Sequence, residues 1–280
     1  MERSHSGLVR RLGKAVNPQG FRGFKSPPLR QITYTGYMHC VKTNDDIKRL
    51  GTILGVWAHP DDETFSSAGI MAVAINNGQT VACITATRGE AGVQDESRWP
   101  ASQLADIRTR ELEEAYAILG ITNHHWLDYA DDNCAEENWI IATARIAGII
   151  DHYQPDSILT FGPDGMTGHP DHCTVSSWVD LAVEKSGSRA VIYHAVQTQE
   201  QYDAIREADE HFNIFYNIDE PPICHPESCG IHFTLDDVLY VQKMAAQAAM
   251  KSQQEGMLEI FGPSLRVSLG TEAFQKSNQA

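Results

Sequence analysis

Two short segments of the chain combine histidine with carboxylate side chains around a proline. The first reads Ala-His-Pro-Asp-Asp-Glu over residues 58–63, and the second reads Gly-His-Pro-Asp-His over residues 168–172. Imidazole nitrogens and carboxylate oxygens are both good ligands for Zn²⁺, at about 2.0–2.2 Å from the ion. The spacing of His59 and Asp62 lets both side chains point at one ion. A carboxylate such as Asp61, which lies between them and points elsewhere, suits a general base.

The second segment offers two histidines spaced three residues apart. One of them can complete a catalytic site with three protein ligands and an open position, and the other can assist the chemistry from outside the ligand shell. A plainer interpretation of both segments is a capped helix start, with a proline followed by acidic residues near the positive end of the helix dipole. Because both segments follow apolar runs that read as buried strands, the pair favours a metal site.

Short apolar runs alternate with segments of helical length from residue 52 onward. This pattern predicts an α/β fold of the Rossmann-like kind, a mostly parallel sheet with helices on both faces. In an open parallel sheet, ligands bind beyond the carboxyl ends of the strands. Both His/Asp segments directly follow predicted strands, so we expect them to meet at one edge of the sheet. The predicted strands are residues 52–58, 80–85, 124–128, 157–161 and 190–196, and the predicted helices are residues 63–77, 102–119, 136–153, 171–184 and 234–254. Ser102 and Thr234 are predicted to cap two of these helices.

Charge is unevenly distributed along the chain. Residues 1–37 contain seven Lys or Arg residues and one acid, whereas the remainder has 15 basic and 36 acidic residues, a net charge of −21. Such an acidic body repels a phosphate backbone, so nucleic acid is not an expected partner. We predict one domain over residues 38–280, preceded by a basic extension over residues 1–37. The extension is expected to be disordered or to reflect a start codon placed too early, with a transit peptide and a basic binding arm as alternatives.

The sequence also predicts a cytoplasmic location. No apolar run approaches the roughly 20 residues that span a bilayer, so no membrane span is expected. The six cysteines are scattered along the chain rather than arranged as a small disulfide scaffold. The first residues lack the apolar stretch of a secretory signal.

The two His/Asp segments resemble the motifs of the LmbE-like (PIG-L) family of zinc-dependent N-deacetylases. Thr-Arg-Gly-Glu at residues 87–90 also matches that family, as does a helix with the pattern Arg-x-x-Glu that ends at Leu119 and Gly120. The resemblance covers residues 52–274. It implies the LmbE-like fold, one Zn²⁺ per chain, and removal of an acetyl or other acyl group from the amide nitrogen of an N-acetylglucosamine-type substrate.

Carried over by position, the resemblance implies roles for five residues in the two segments. His59, Asp62 and His172 would hold the zinc ion. Asp61 would act as the general base, and His169 would support the oxyanion and the leaving amine. In that mechanism water, rather than a side chain, supplies the nucleophile, so no acyl-enzyme is expected.

Further positions are implied to shape the substrate pocket. Arg88 would contact substrate hydroxyls, with Glu90 and Asp164 as additional members of the pocket wall. Two positions depart from the family's pattern. Met250 stands where relatives often have a histidine, and Thr167 stands where some relatives have a tyrosine.

Other functions fit parts of the same pattern. An amidase for another N-acyl sugar or for a thiol conjugate would use the same chemistry. A metal-free Rossmann-like binding module would need a glycine-rich phosphate loop after the first strand, where this chain has His-Pro-Asp-Asp-Glu. A structural interaction protein would be expected to have lost one of the five site residues, and all five are present. The expected partner is a small N-acylated amino sugar, and a homo-oligomer stays open.

Overall fold

Strands alternate with helices along the chain, and the strands form one mixed sheet. The computed structural model describes residues 40–212, 214–215, 217–219, 221–254, 262 and 264–277. The strands are β1 (Ile53–Trp57), β2 (Val81–Thr87), β3 (Asn123–Tyr129), β4 (Ser157–Phe161), β5 (Val191–Val196), β6 (Ile231–Thr234) and β7 (Thr271–Lys276). Their order across the sheet is β3-β2-β1-β4-β5-β7-β6. Strands β1 to β5 are parallel, whereas β7 pairs antiparallel with both β5 and β6.

Strands β1 and β4 lie side by side near the centre of the sheet, where the strand order reverses. Both are buried along their whole length, which explains their nearly continuous apolar sequences. Ile53 pairs with Ser157 and Gly55 pairs with Leu159, so the two strands end at the same edge. A reversal of this kind leaves a crevice at the carboxyl ends of the strands, where ligands bind in open α/β sheets. The two His/Asp segments therefore leave the sheet from adjacent points.

Helices cover both faces of the sheet, which confirms the predicted α/β architecture. Amphipathic α4 illustrates the pattern, since Leu104, Leu112 and Leu119 are buried on one side of it. The helix ends at Gly120, which has the left-handed conformation that glycine tolerates best. The α-helices among the described residues are α1 (Asn44–Ile47), α2 (Asp62–Ser66), α3 (Ala68–Asn76), α4 (Ala101–Leu119), α5 (Trp139–Tyr153), α6 (Gly165–Gly168), α7 (Pro170–Ser186), α8 (Gln199–Phe212), α9 (Asp237–Ala249) and α10 (Ser264–Leu269), and short 3-10 turns cover Lys48–Leu50, Cys134–Glu136 and Pro226–Ser228.

The predicted caps of two helices are wrong. Helix α4 begins directly after Pro100, whose fixed φ sets the helix entry, and Ser102 lies inside the first turn. Helix α9 is capped by the Asp236 carboxylate, which accepts a hydrogen bond from Leu239 N at 2.9 Å. Thr234 instead belongs to β6, where its hydroxyl lies 3.2 Å from that of a β7 threonine.

The predicted helix over residues 63–77 is divided into α2 and α3 at Ser67, which leaves helical geometry at φ −145° and ψ 10°. The carboxylate of Glu272 accepts hydrogen bonds from Gly69 N and Ile70 N, both at 2.8 Å, and so satisfies two amides at the start of α3. Lys243 Nζ donates to Glu272 Oε1 at 2.9 Å and to a carbonyl oxygen of α2 at 2.7 Å. Side chains from α9 and β7 therefore stabilise the break beside the first His/Asp segment.

None of the helices in the described part of the chain is both long and apolar enough to cross a bilayer. The predicted basic extension, residues 1–37, lies outside the described residues. Its disorder and the extent of a single domain over residues 38–280 stay predictions.

Candidate metal centre

The first His/Asp segment turns sharply at the end of β1. Asp61 has a φ of 121°, a conformation that strains a residue other than glycine. The turn lets the Asp62 carboxylate fold back, so that its Oδ2 accepts hydrogen bonds from Ala58 N at 3.1 Å and His59 N at 2.7 Å. The other oxygen, Oδ1, lies 3.4 Å from Nε2 of His172. The local turn thus aims one carboxylate oxygen at the second segment.

The second segment forms the start of α7. His169 is the cap residue, and its Nδ1 accepts a hydrogen bond from Asp171 N at 3.2 Å. His172 lies in the first turn and stacks on the ring of Phe161, with the ring centroids 4.0 Å apart. Nδ1 of His172 is 2.9 Å from the carbonyl oxygen of Gly165, which assigns the ring proton to Nδ1. Its Nε2 therefore presents a lone pair to the site.

Two carboxylates contact the Nε2 edge of the His59 ring. Nε2 lies 3.0 Å from Asp131 Oδ1 and 3.3 Å from Asp171 Oδ2. Backbone amides fix both carboxylates, since Asp131 accepts from Ala91 N at 2.7 Å and Asp171 accepts from Cys134 N at 3.0 Å. Burial by itself lowers the pKa of His59, but its hydrogen bonds to these carboxylates outweigh burial and raise the pKa to about 10. Nε2 thus carries a proton, and Nδ1 faces the opposite way.

His59, Asp62 and His172, together called the metal site below, bring two ring nitrogens and one carboxylate group close together. Nδ1 of His59 lies 3.1 Å from Nε2 of His172, Oδ1 of Asp62 lies 3.4 Å from the same Nε2, and its Oδ2 lies 3.7 Å from His59 Nδ1. Ligands of a tetrahedral zinc ion with ordinary bond lengths are separated by about 3.3–3.6 Å. Two nitrogen lone pairs this close repel each other. A proton on His59 Nδ1 would turn the contact into a hydrogen bond, and a cation bound by both nitrogens would also remove the repulsion. The buried donor set therefore fits a divalent metal ion.

Burial shifts the acidity of the two carboxyls in the first segment. It raises the pKa of Asp62 and raises the pKa of Asp61 to about 7, although the Arg108 guanidinium opposes the rise at Asp61. Arg108 is itself buried and lies 3.2 Å from Asp61 Oδ2. It also donates hydrogen bonds to the carbonyl oxygens of Pro60 and Gly89. Asp61 thus has a fixed orientation beside the metal site.

His169 stands next to the two histidines of the metal site. Its ring centroid lies 4.7 Å from that of His59 and 5.0 Å from that of His172. One ligand atom from each of these three histidines falls within 4.8 Å of the others, so His169 is a geometric alternative to Asp62 as a ligand. Because the His169 Nδ1 already caps α7, only its Nε2 is available to the site. Asp62 offers an oriented carboxylate, since two backbone amides donate to its Oδ2.

The structure brings five of the predicted residues together, but it places the three predicted pocket-wall residues elsewhere. Arg88 stacks over the ring of Trp126 at 3.9 Å and donates to Asp128 at 2.9 Å and 2.7 Å. Glu90 Oε1 accepts a hydrogen bond from the backbone N–H of Asp131, and Asp164 caps α6. Neither Arg88, Glu90 nor Asp164 lines the cavity of about 310 Å³ that opens onto the metal site.

Sequence reasoning missed three residues that support the site. Asp171 lies inside the second segment, and the usual pairing of a metal-bound histidine with a carboxylate would have pointed to it. Asp131 lies in the loop after β3, another carboxyl end of the sheet, which is the signal that could have found it. Arg108 belongs to the Arg-x-x-Glu pattern of α4 that was noticed only as a family feature.

Comparison with known proteins gives one family match and several relatives. A family model described as PIG-L, GlcNAc-PI de-N-acetylase, matches residues 54–183. The 1D-myo-inositol 2-acetamido-2-deoxy-alpha-D-glucopyranoside deacetylase of Mycobacterium sp. (strain KMS) is 32% identical over 155 residues, covering 48% of this chain and 50% of the relative. The enzyme of the same name from Thermomonospora curvata is 36% identical over 142 residues, covering 43% of this chain and 48% of the relative. The chain spans about half the length of these curated relatives.

Solved structures with the same fold are more distant in sequence. An N,N'-diacetylchitobiose deacetylase from Pyrococcus horikoshii has a TM-score of 0.56 at 20% identity, covering 82% of this chain and 85% of that one. A zinc-inhibited form of the teicoplanin deacetylase Orf2 has a TM-score of 0.57 at 14% identity, covering 82% of this chain and 100% of that one. At these identities the likeness establishes the fold. Residues 54–183, which contain both His/Asp motifs, are thus similar to the PIG-L (LmbE-like) family.

Proposed function

We propose that this protein is a metal-dependent hydrolase that removes the acetyl group from the nitrogen of an N-acetylglucosamine-type compound. One observation carries the proposal: two ring nitrogens lie 3.1 Å apart, and each has one oxygen of the Asp62 carboxylate within 3.7 Å, beside a buried carboxyl, where a cavity opens. The curated relatives are named as deacetylases of a myo-inositol 2-acetamido-2-deoxyglucopyranoside, and the matching family model is described as a GlcNAc-PI de-N-acetylase. The proposal extends that activity to this chain.

The metal ligands in this proposal are His59, Asp62 and His172, and the proposed ion is Zn²⁺. Nitrogen and oxygen donors in a set of three, with room for further ligands, suit a catalytic zinc site, while two histidines and one carboxylate also suit Fe(II). When bound, the ion would polarise the amide carbonyl and lower the pKa of water to near neutrality.

Asp61 is proposed as the general base. Its carboxylate lies in the wall of the cavity and is held at 3.2 Å by Arg108, so it can receive the proton of an attacking water without leaving its position. Arg108 also keeps a positive charge beside the carboxylate that burial would otherwise neutralise. The strained backbone of Asp61 is the local cost of that orientation.

His169 is proposed to support the carbonyl oxygen and the departing nitrogen. Its Nδ1 is fixed by the α7 backbone, which leaves Nε2 to contact the reacting group. Substrate roles for Arg88, Glu90 and Asp164 stay predictions, as do a cytoplasmic location and a homo-oligomer.

The test is hydrolysis of N-acetylglucosamine and its methyl glycoside by zinc-loaded protein in H₂¹⁸O. Equal amounts of acetate and free amine are expected, with one labelled oxygen in each acetate. His172→Ala should be inactive, while His152→Ala, a matched change at an exposed position of α5, should retain wild-type activity. Acetate without the label, a trapped acyl-enzyme, or no turnover of any N-acetylated sugar would contradict the proposal.

A further inference from the structure

The cavity beyond the metal site is lined mostly by apolar side chains. Phe65 follows the first His/Asp segment and Met166 precedes the second, while Ile205, Leu265 and Leu269 complete the far wall. A volume of about 310 Å³ lies at the small end of the roughly 300–1,000 Å³ typical of ligand pockets. The space is therefore sufficient for a small ligand that reaches past the metal site.

Helices α8 and α10 supply the far wall, and they lie outside the segment 54–183 that matches the family model. Ile205 on α8 and Leu265 on α10 are buried in one apolar cluster, with Leu269 packed against it. This cluster is separate from the main core beneath the sheet. The apolar wall thus comes from a part of the chain beyond the segment that matches the family model.

The polar groups in the wall are uncharged away from the metal site. Gln254 is 2% exposed, and its Oε1 accepts no hydrogen bond from the described part of the chain. Gln197 lines the same cavity, and its Oε1 likewise accepts no hydrogen bond from the described part of the chain. Amide oxygens of this kind accept hydrogen bonds from hydroxyl or N–H groups. No lysine or arginine occurs among the described residues that line the cavity, so the wall offers no partner for a phosphate.

We propose that the substrate is an uncharged N-acyl amino sugar that carries an alkyl or aryl group, and that the α8–α10 wall selects this group. This inference rests on the proposed hydrolase function and names its substrate class. The apolar group is either the aglycone or an acyl chain longer than acetyl, because the acyl chain belongs to the reacting amide and the aglycone is attached to the neighbouring ring carbon. Gln197 and Gln254 accept hydrogen bonds from the sugar.

Transfer of one methylene from water into such a wall strengthens binding about fourfold. Extension by two or three methylenes should therefore raise kcat/KM by about ten- to sixtyfold, mainly through a lower KM, because the contact is the same in the ground state and the transition state.

Two matched substrate series separate the two positions of the apolar group. The aglycone series compares the methyl and butyl β-glycosides of N-acetylglucosamine, and the acyl series compares the N-acetyl and N-butanoyl forms of the methyl glycoside. The 1-phosphate of N-acetylglucosamine is the charged comparison. Calorimetric binding of the corresponding products, methyl and butyl glucosaminide or acetate and butanoate, gives a readout that does not require turnover.

Variants on α10 locate the effect. Leu269→Gln places a polar group in the wall and should abolish the advantage of the longer member of the preferred series. Val267→Gln is the matched control, since Val267 lies on the same helix, is 41% exposed and does not line the cavity. This control should keep both the activity and the advantage.

An advantage in one series that Leu269→Gln removes and Val267→Gln keeps would support the inference. If the short and the long member of each series have equal kcat/KM, or if the 1-phosphate is preferred, the inference would be overturned while the hydrolase proposal stays intact. Absence of turnover together with tighter binding of a longer product would overturn the hydrolase proposal and support the apolar wall. Absence of both turnover and tighter binding of a longer product would overturn the hydrolase proposal and the inference together.

Discussion

The buried ion pair between Lys243 and Glu272 is predicted to be a main source of stability beside the metal site. Both side chains are fully buried, and their charged atoms lie 2.9 Å apart. Glu272→Gln keeps the shape of the side chain but removes the charge that Lys243 and the two α3 amides require. Because the change creates no cavity, the loss in unfolding free energy reports on the charge and its hydrogen bonds.

Loss of one partner of a buried pair costs about 3–5 kcal/mol, because the other charge stays buried without compensation. For a domain of this size, each kcal/mol lowers Tm by about 2–4 °C, so Glu272→Gln should melt about 6–20 °C below wild type. Lys48→Met is the matched surface control, because Lys48 pairs with Asp45 at 2.8 Å while both side chains are exposed. An exposed pair contributes about 0–1 kcal/mol, so this control should change stability little.

Urea unfolding followed by circular dichroism, with metal removed by a chelator from every sample, gives the free energies without a contribution from metal release. The double variant Lys243→Met with Glu272→Gln should be more stable than Glu272→Gln alone, since it leaves no buried charge unpaired. The reasoning is refuted if Glu272→Gln lies within about 1 kcal/mol of wild type, or if the double variant shows no recovery.

Two further predictions concern the groups around the metal site. Asp61→Asn should keep the metal but lower kcat by about 10²–10⁴-fold, as expected for loss of a general base, and metal analysis beside steady-state kinetics checks both halves; loss of the metal would instead make Asp61 a ligand. Asp131→Asn should weaken metal binding by about 10–100-fold in a chelator competition, because it removes a hydrogen bond that orients His59, whereas Asp132→Asn at the exposed neighbouring position should bind metal like wild type. Equal affinities for these two variants would remove Asp131 from the supporting role.

Local patterns predicted the elements that carry the chemistry. The apolar runs of β1 and β4 and the polar segments after them are readable because parallel strands are buried on both faces and ligands bind at their carboxyl ends. The helix break at Ser67 was not predictable in the same way, because Glu272 is 203 residues from Gly69. The carboxylate of Asp131 likewise reaches His59 only through the fold.

The C-terminal third of the described chain was least readable. Strands β6 and β7 are short and antiparallel, and their residues show no alternating pattern strong enough to predict them. The predicted substrate contacts also depend on pairings that local sequence does not reveal. Arg88 was predicted to face the substrate, yet the Trp126 ring and the Asp128 carboxylate of β3 contact its guanidinium, because β3 pairs with β2 in the folded sheet.

A zinc titration of metal-free protein tests the central claim most directly, with bound metal and acetate release measured on the same samples. For wild type, both quantities should rise together and saturate at one equivalent per chain. His59→Ala should show neither, because Nδ1 of His59 is one of the proposed metal ligands and lies 3.1 Å from Nε2 of His172, whereas His152→Ala should follow wild type. Acetate release that survives complete removal of metal, or one tightly bound equivalent in His59→Ala, would contradict the account.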